Sequence, residues 1–203
     1  YQIAAAEAFL DATDAPASRR AIVTLPTGTR KTVIGAEIAR RACNGAGRAL
    51  WLAHTRVLVG QPLDAFARIW PEAKCGVVRA GADEWAERVV LGSVQTLRIP
   101  RRLTRTLARG IAAPFDLVVV DEAHHAAAAS YRTILDGLGA MEPGGPRVLG
   151  LTATVARGDG RALGDVWQSI AYRMSVRTAI AAGYLVPARH VRVTLAGLDL
   201  ASV

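Results

Sequence analysis

The chain has 203 residues, 51% of them hydrophobic, and a net charge of +8, the size of one large domain able to bury a sizeable core. No apolar run reaches the ~18 residues that cross a bilayer, and the N-terminus shows no charged region followed by an apolar one; no membrane association is expected, and the cytoplasm is the expected compartment. Cys43 and Cys75 lie far apart with no C-x-x-C spacing, which speaks against a zinc site or a disulfide framework. The basic excess favours a polyanionic partner such as nucleic acid. That inference is discounted because only Lys31 and Lys74 are lysines among 25 basic residues, and an alanine- and arginine-rich composition can follow from base bias in the gene.

In chain order, Ile3, Ala6, Phe9 and Leu10 have helical spacing. Arg20 to Leu25 reads as the first buried strand and Thr32 to Arg41 as a helix ended by the Asn44-Gly45-Ala-Gly47 turn. Arg48 to His54 is a second strand. A helix from Thr55 toward Trp70 must be started, kinked or broken by Pro62. Gly76 to Arg79 and Arg88 to Gly92 are short strands, and Thr96 to Arg109 is helical in pieces around Pro100. Its arginines at 98, 101, 102, 105 and 109 repel one another at helical spacing, a repulsion that a phosphate backbone would relieve, and a solvated face fits the spacing equally well. Phe115 to Val120 has the unbroken apolar run of a strand buried on both faces. A helix from Ser130 to Leu138, a turn at Pro143-Gly-Gly-Pro146 and a strand from Arg147 to Leu151 follow. A short helix near Arg161, a strand from Ser169 to Met174 and a helix capped by Ser175 and stopped by Gly183 complete the pattern, and from Leu185 the chain reads extended. Strands alternating with helices give an α/β fold, a mostly parallel sheet with helices on both faces, whose ligands bind outside the carboxyl ends of the strands.

Three polar motifs fall there, each directly after a hydrophobic run. The first, Pro26-Thr27-Gly28-Thr29-Arg30-Lys31-Thr32, has the character of a phosphate-binding loop (P-loop) between a buried strand and a helix start, where backbone N–H groups and the helix dipole favour a polyphosphate. Lys31 would reach the β and γ phosphates, and the Thr32 hydroxyl would complete the shell of a magnesium ion. Arg30 stands where such loops carry a glycine, and its Cβ resists the backbone angles a glycine accepts. It either crowds the nucleotide or adds a cation beside it. Alone, Lys31-Thr32 reads as well as an ordinary helix N-terminus. The second motif is Asp121-Glu122, where Asp121 would hold magnesium and Glu122 would orient and deprotonate an attacking water. Alone, such a pair is also a solvated turn. In the third, Thr152 and Thr154 would be linked by His124 to the hydrolytic site. The adjacent His124 and His125 point in different directions and have no third ligand at a metal spacing. The three motifs occurring together, in this order, favour nucleotide binding.

The motif set resembles the first RecA-like domain of a superfamily 2 DEAD/DEAH-box helicase, in the branch of type III restriction subunits and related DNA translocases. Pro26 to Thr32 is similar to motif I with arginine for glycine, Leu52-Ala-His-Thr-Arg56 to motif Ia, Asp121 to His124 to motif II and Leu151-Thr-Ala-Thr154 to motif III. Tyr1-Gln2 resembles the end of an entry motif, which implies that Gln2 reads adenine. Gly92-Ser93-Val94-Gln95-Thr96-Leu97 resembles a further nucleic-acid contact. The resemblance thus implies that Thr55, Arg56, Ser93, Gln95 and Thr96 lie along a nucleic acid, DNA rather than RNA. It further implies an ATP- and Mg2+-dependent hydrolase in which residues 1–183 are the ATP-binding domain and 184–203 a tail leading toward a second RecA-like domain absent from this chain. That second domain would supply an arginine finger, so the chain alone is expected to be weakly active or inactive. The alternative is a nucleic-acid-binding or scaffolding domain whose nucleotide site is damaged at Arg30.

Overall fold

The computed structural model describes residues 1–53, 60–99, 103, 114–126, 128–154 and 166–187. Helix α1 (Gln2–Ala12) precedes strand β1 (Arg20–Thr24), and α2 (Lys31–Ala42) follows it. Next come β2 (Ala49–Ala53), α3 (Gly60–Ile69), β3 (Cys75–Arg79), β4 (Ala82–Asp83), β5 (Val89–Ser93) and α4 (Val94–Leu97). Strand β6 (Leu117–Asp121) leads through a single 3₁₀ turn (Ala123–His125) to α5 (Ala129–Gly137), then β7 (Arg147–Thr152), β8 (Ser169–Arg173) and α6 (Val176–Ala181).

The eight strands form one sheet in the order β4-β3-β5-β2-β6-β7-β1-β8. Every pairing is parallel except β3 with β4. Strands β2 and β5 are buried along their whole length, the signature of a sheet covered on both faces. Two apolar layers cover it. On one side Phe9, Ile34, Ile38, Trp51 and Phe66 pack together, with the Trp51 and Phe66 rings edge to face at 5.9 Å. On the other side lie Trp85, Leu97, Tyr131, Ile134 and Trp167. Each large apolar side chain withdrawn from water contributes about 1.5–3 kcal/mol, and this burial holds the helices to the sheet.

Local chemistry explains the element ends. Ser175 accepts the Thr178 N–H as the cap of α6. Gly183, at φ +74°, closes α6 in a Schellman turn, with Gly183 N–H donating to Ile180 O and Tyr184 N–H to Ala179 O. Pro62 sits in the first turn of α3, where its missing N–H has no intrahelical acceptor. Three expectations change. The short antiparallel β4 had no periodic signal at two residues. Helix α4 begins at Val94, straight out of β5, and ends before Pro100. Leu185 does not run on as an extended tail but bends back, its N–H on Ala179 O at 3.2 Å. The helix near Arg161 and the region after Pro187 lie outside the described residues.

Candidate nucleotide site

Strands β6, β7 and β1 are adjacent, and their carboxyl ends carry the three motifs side by side. Asp121 lies level with Leu151 and Thr152 level with Thr24. Strands are spaced about 4.8 Å apart, so positions that are remote along the chain fall within about 10 Å of one another. Leu25 N–H donates to Thr152 O at 3.0 Å, tying the entry of the phosphate loop to the third motif.

Within the loop, Gly28 has φ +89° and Arg30 φ +56°, ψ +48°. Left-handed residues of this kind turn successive N–H groups toward a common concavity. Arg30 therefore keeps the backbone a glycine would adopt, at a strain cost of about 1–3 kcal/mol, and its side chain is exposed. Thr29 is buried and its hydroxyl donates to Pro26 O at 2.6 Å, an internal brace of the loop. Thr27 and Gly28 face solvent, while Lys31 and Thr32 are half-buried at the start of α2. The Tyr1 hydroxyl donates to Thr29 O at 3.0 Å, and Gln2, half-buried, opens α1 beside it.

Asp121 ends β6 and Glu122 follows it, two strands away from β1. Burial pushes the Asp121 carboxyl above the ordinary aspartate range, the Glu122 N–H and the Lys31 ammonium pull it back, and the Glu122 charge pushes it up further. Lys31 is thus near enough for its charge to bear on Asp121. The Glu122 N–H donates to Asp121 Oδ1 at 3.0 Å, and Glu122 itself sits at φ +53°. The only non-glycine residues with positive φ among those described, Arg30 and Glu122, both belong to this site. His124 Nδ1 lies 3.3 Å from Glu122 Oε2 and 3.4 Å from Thr152 Oγ1. Thr152 gives its own proton to Thr154 O at 2.8 Å and accepts from Thr154 N–H at 3.2 Å, so this network assigns the imidazole proton to Nδ1. The structure brings Glu122, His124, Thr152 and Thr154 into one hydrogen-bonded series.

The set fits a magnesium ion: a desolvated carboxylate and a hydroxyl at a helix start are hard oxygen donors, and a divalent cation would relieve the buried charge of Asp121. The His124 and His125 rings do not diverge as expected but lie 4.1 Å apart, tilted by 43°, and no group of three or more His, Cys, Asp or Glu side chains at a metal geometry occurs among the described residues.

Of the proposed nucleic-acid contacts, Thr55 and Arg56 lie outside the described residues. Ser93 ends β5 and Gln95-Thr96 lie in α4, at the same edge of the sheet but beyond β2. Ser93 is 2% and Thr96 8% exposed, so Gln95 is the one of the three open to solvent.

Two neighbours of the site were not foreseen. Tyr131 is buried beneath the carboxylates, its hydroxyl pushed up to about 12 by burial and by the charges of Asp121 and Glu122. In the sequence it reads as one more apolar position of α5. Leu185 stands beside the tip of the loop: a Cβ at Gly28 would meet its Cδ2 at 3.1 Å, and the Tyr184 ring leans on Tyr1 at 4.5 Å.

Residues 1–157 match the family model described as "Type III restriction enzyme, res subunit". A "Putative ATP-dependent helicase IRC3" of Saccharomyces cerevisiae is 33% identical over 197 residues, covering 92% of this chain and 27% of that protein. A "Putative mitochondrial ATP-dependent helicase irc3" of Schizosaccharomyces pombe is 30% identical over 199 residues, covering 95% and 32%. The chain thus spans about a quarter to a third of the length of these relatives. Among solved structures, a nuclease-deletion mutant of the Type ISP restriction-modification enzyme LlaGI, in complex with a DNA substrate mimic, superposes with a TM-score of 0.69 at 16% identity, over 91% of this chain and 20% of that one. That likeness is one of fold. No helix among the described residues is long and apolar enough to cross a membrane.

Proposed function

This chain belongs to the type III restriction enzyme res subunit family, as a RecA-like ATP-binding domain of the superfamily 2 helicase kind, and from that premise we propose that it serves a motor which couples Mg-ATP hydrolysis to movement on DNA. The convergence of Lys31, Asp121 and the Glu122–His124–Thr152 series at the ends of three adjacent strands carries the reading. Phosphoryl transfer asks a protein mainly for positioning and charge neutralisation, and each group has a task. The loop N–H groups from Thr27 to Thr32 cradle the phosphates, and the Lys31 ammonium balances charge on the γ-phosphate. Glu122 orients the attacking water and takes its proton. Thr32 and Asp121 would hold a magnesium ion, which when bound neutralises phosphate charge. Gln2, next to the Tyr1 that bonds the loop, would read the base.

His124 joins the catalytic glutamate to Thr152 and Thr154, so a change at Glu122 is felt at the end of β7. Ser93 at the end of β5 and Gln95 and Thr96 just after it, together with Thr55 and Arg56, serve as the nucleic-acid track. Hydroxyls, amides and an arginine there suit phosphate oxygens, contacts that position a strand without reading its sequence. DNA is preferred to RNA because the matching family model is that of a restriction enzyme subunit. Residues 1–183 form the ATP-binding domain and 184–203 the lead toward a second RecA-like domain. An arginine finger from such a domain is worth about 10³–10⁵ in rate, so the chain by itself binds nucleotide and turns it over slowly or not at all.

The test is titration of Mg-ATP into the chain and into Lys31→Ala and Glu122→Gln variants, followed by DNA-stimulated hydrolysis in a longer protein that carries the second domain. Binding lost in Lys31→Ala and kept in Glu122→Gln, with hydrolysis lost in both, is the expected pattern. Equal nucleotide affinity of the native and Lys31→Ala chains would overturn the assignment.

A further inference from the structure

The three phenylalanines, four tryptophans and four tyrosines all lie among the described residues, and every one is buried or half-buried except Tyr184, which is 48% exposed. An aromatic ring left in water forgoes a large gain from burial. Nor is this ring carried on a loose end. Tyr184 follows the Schellman turn at Gly183, its N–H donating to Ala179 O at 2.8 Å, and the next N–H, that of Leu185, reaches the same carbonyl at 3.2 Å. An exposed ring on hydrogen-bonded backbone gives up little further freedom when something binds it.

Its neighbours place it at the phosphate loop. On one side the Tyr184 and Tyr1 rings lie 4.5 Å apart, tilted by 51°, and the Tyr1 hydroxyl donates to Thr29 O at 3.0 Å. On the other, Leu185 Cδ2 stands 3.1 Å from where a Cβ on Gly28 would lie. The ring is thus a single side chain removed from the loop in two directions, and Tyr1 directly precedes Gln2, the residue proposed to read the base. Three of the six large apolar side chains exposed among the described residues, Ile3, Tyr184 and Val186, belong to the two segments that meet here. Apolar surface left open in one part of a fold marks a place that takes a partner.

We infer that Tyr184 is the surface on which the base of the bound nucleotide stacks, a residue that adds affinity for the nucleoside and not for the phosphates. The inference rests on the nucleotide reading of the site and adds to it a contact from the segment that leaves the sheet after α6. A base has flat apolar faces and polar edges, so it needs one group to lie on and another to read its edge. Tyr184 supplies the first and the Gln2 amide the second. Stacking tolerates any base, because every base has a π face. Tyr184 therefore contributes affinity, and discrimination among bases is left to Gln2.

The probes are Mg-ATP and Mg-tripolyphosphate, which carries three linked phosphates without the nucleoside, each titrated into the native chain and into Tyr184→Ala and Tyr184→Phe variants. Tyr184→Ala should bind Mg-ATP about tenfold more weakly, the loss of one stack between base and ring, with its affinity for Mg-tripolyphosphate unchanged. Tyr184→Phe, which keeps the ring, should bind Mg-ATP as the native chain does. Equal affinity of the native and alanine chains for Mg-ATP overturns the inference and leaves the phosphate site standing. Equal weakening toward both ligands also overturns it, and assigns Tyr184 to bracing the loop through Tyr1 and Leu185. A native chain that does not bind Mg-ATP overturns the nucleotide reading and this inference with it. If the alanine chain does not fold, Tyr184→Leu, which keeps apolar bulk and drops the ring, carries the same expected loss and the same refutations.

Discussion

At the amino ends of the strands, arginines are tied to the backbone. Arg20 reaches the carbonyls of Val166 and Met141, Arg48 those of Trp85 and Glu87, Arg88 those of Cys43, Gly45 and Gly47, and Arg147 that of Thr13. At the carboxyl ends, among the described residues, charged groups instead act on one another: the Lys31 charge bears on Asp121, Glu122 lies 3.3 Å from His124, and Arg30 stands exposed in a strained conformation. The same side-chain chemistry therefore closes the fold at one end and leaves charge available at the other. Much of the net charge of +8 is accordingly structural, and total charge is a poor guide to where a polyanion binds.

The largest effect expected from this contrast is at Arg48. The residue is 8% exposed, and its guanidinium lies 4.7 Å from the centre of the Phe115 ring while bonding two carbonyls. Arg48→Ala leaves buried carbonyls unpaired and removes the stacking, about 3 kcal/mol together. That is about 6–12 °C in the melting temperature of a chain this size. Nucleotide affinity of the folded fraction should be unchanged. A variant that melts normally but binds Mg-ATP weakly would break the division between the two ends.

Next is Gly35, on the helix that begins at the phosphate loop. A Cβ there would stand 2.7 Å from the Trp51 ring and 2.8 Å from Leu151 Cδ1, neither free to move far in a close-packed layer. Gly35→Ala should destabilise by about 1–3 kcal/mol in denaturant unfolding. Lifting α2 also shifts Lys31 and Thr32, so Mg-ATP affinity should fall, which Arg48→Ala does not produce.

The alternation of apolar strands with helical spacing was enough to read the parallel sheet, and polar motifs after three apolar runs were enough to expect all three at one edge of it, because parallel strands buried on both faces leave few alternatives. Strand order was not legible: β7 lies between β6, its partners 30 positions back, and β1, its partners 128 positions back, and no local pattern encodes the second pairing. Tyr131 was invisible for a different reason, since a buried tyrosine on a helix looks the same whether its hydroxyl meets solvent or carboxylates. The turning back of Leu185 depends on the Schellman turn at Gly183, which was read, and on the gap over Gly28, which was not. The arginines of the amino ends could have been noticed, since Arg20, Arg48, Arg88 and Arg147 each stand at or just before an apolar strand, but whether such a residue bonds carbonyls or solvent is set by the loops around it.

Arg30 tests the carboxyl end more gently. Arg30→Gly relieves the left-handed strain but gives the unfolded chain more freedom, so a net gain of up to about 1 kcal/mol is expected. Because the arginine already holds the glycine-like backbone, Mg-ATP should bind both forms. Binding by the glycine form alone would mean that the guanidinium, not the loop shape, blocks the site, and the motor reading would fail for this sequence.

The smallest effect, in stability, is at Asp121, and its sign separates the two ends. Burial raises the carboxyl above its ordinary value, so the folded chain holds the proton more tightly than the unfolded one. Stability must then fall as pH rises from the ordinary aspartate value through the folded one, and it stays lower at neutral pH. Asp121→Asn removes that ionisation, so the variant should melt slightly above the parent at pH 7, and the two should converge in acid. A cation beside Asp121 reverses the balance: Mg-ATP should raise the melting temperature of the parent and have little effect on the variant. An arginine tied to carbonyls stabilises the chain with nothing bound, whereas a carboxylate held for a ligand destabilises it until the ligand arrives. If Asp121→Asn melts below the parent at neutral pH, the carboxylate is structural and the contrast between the two ends does not hold.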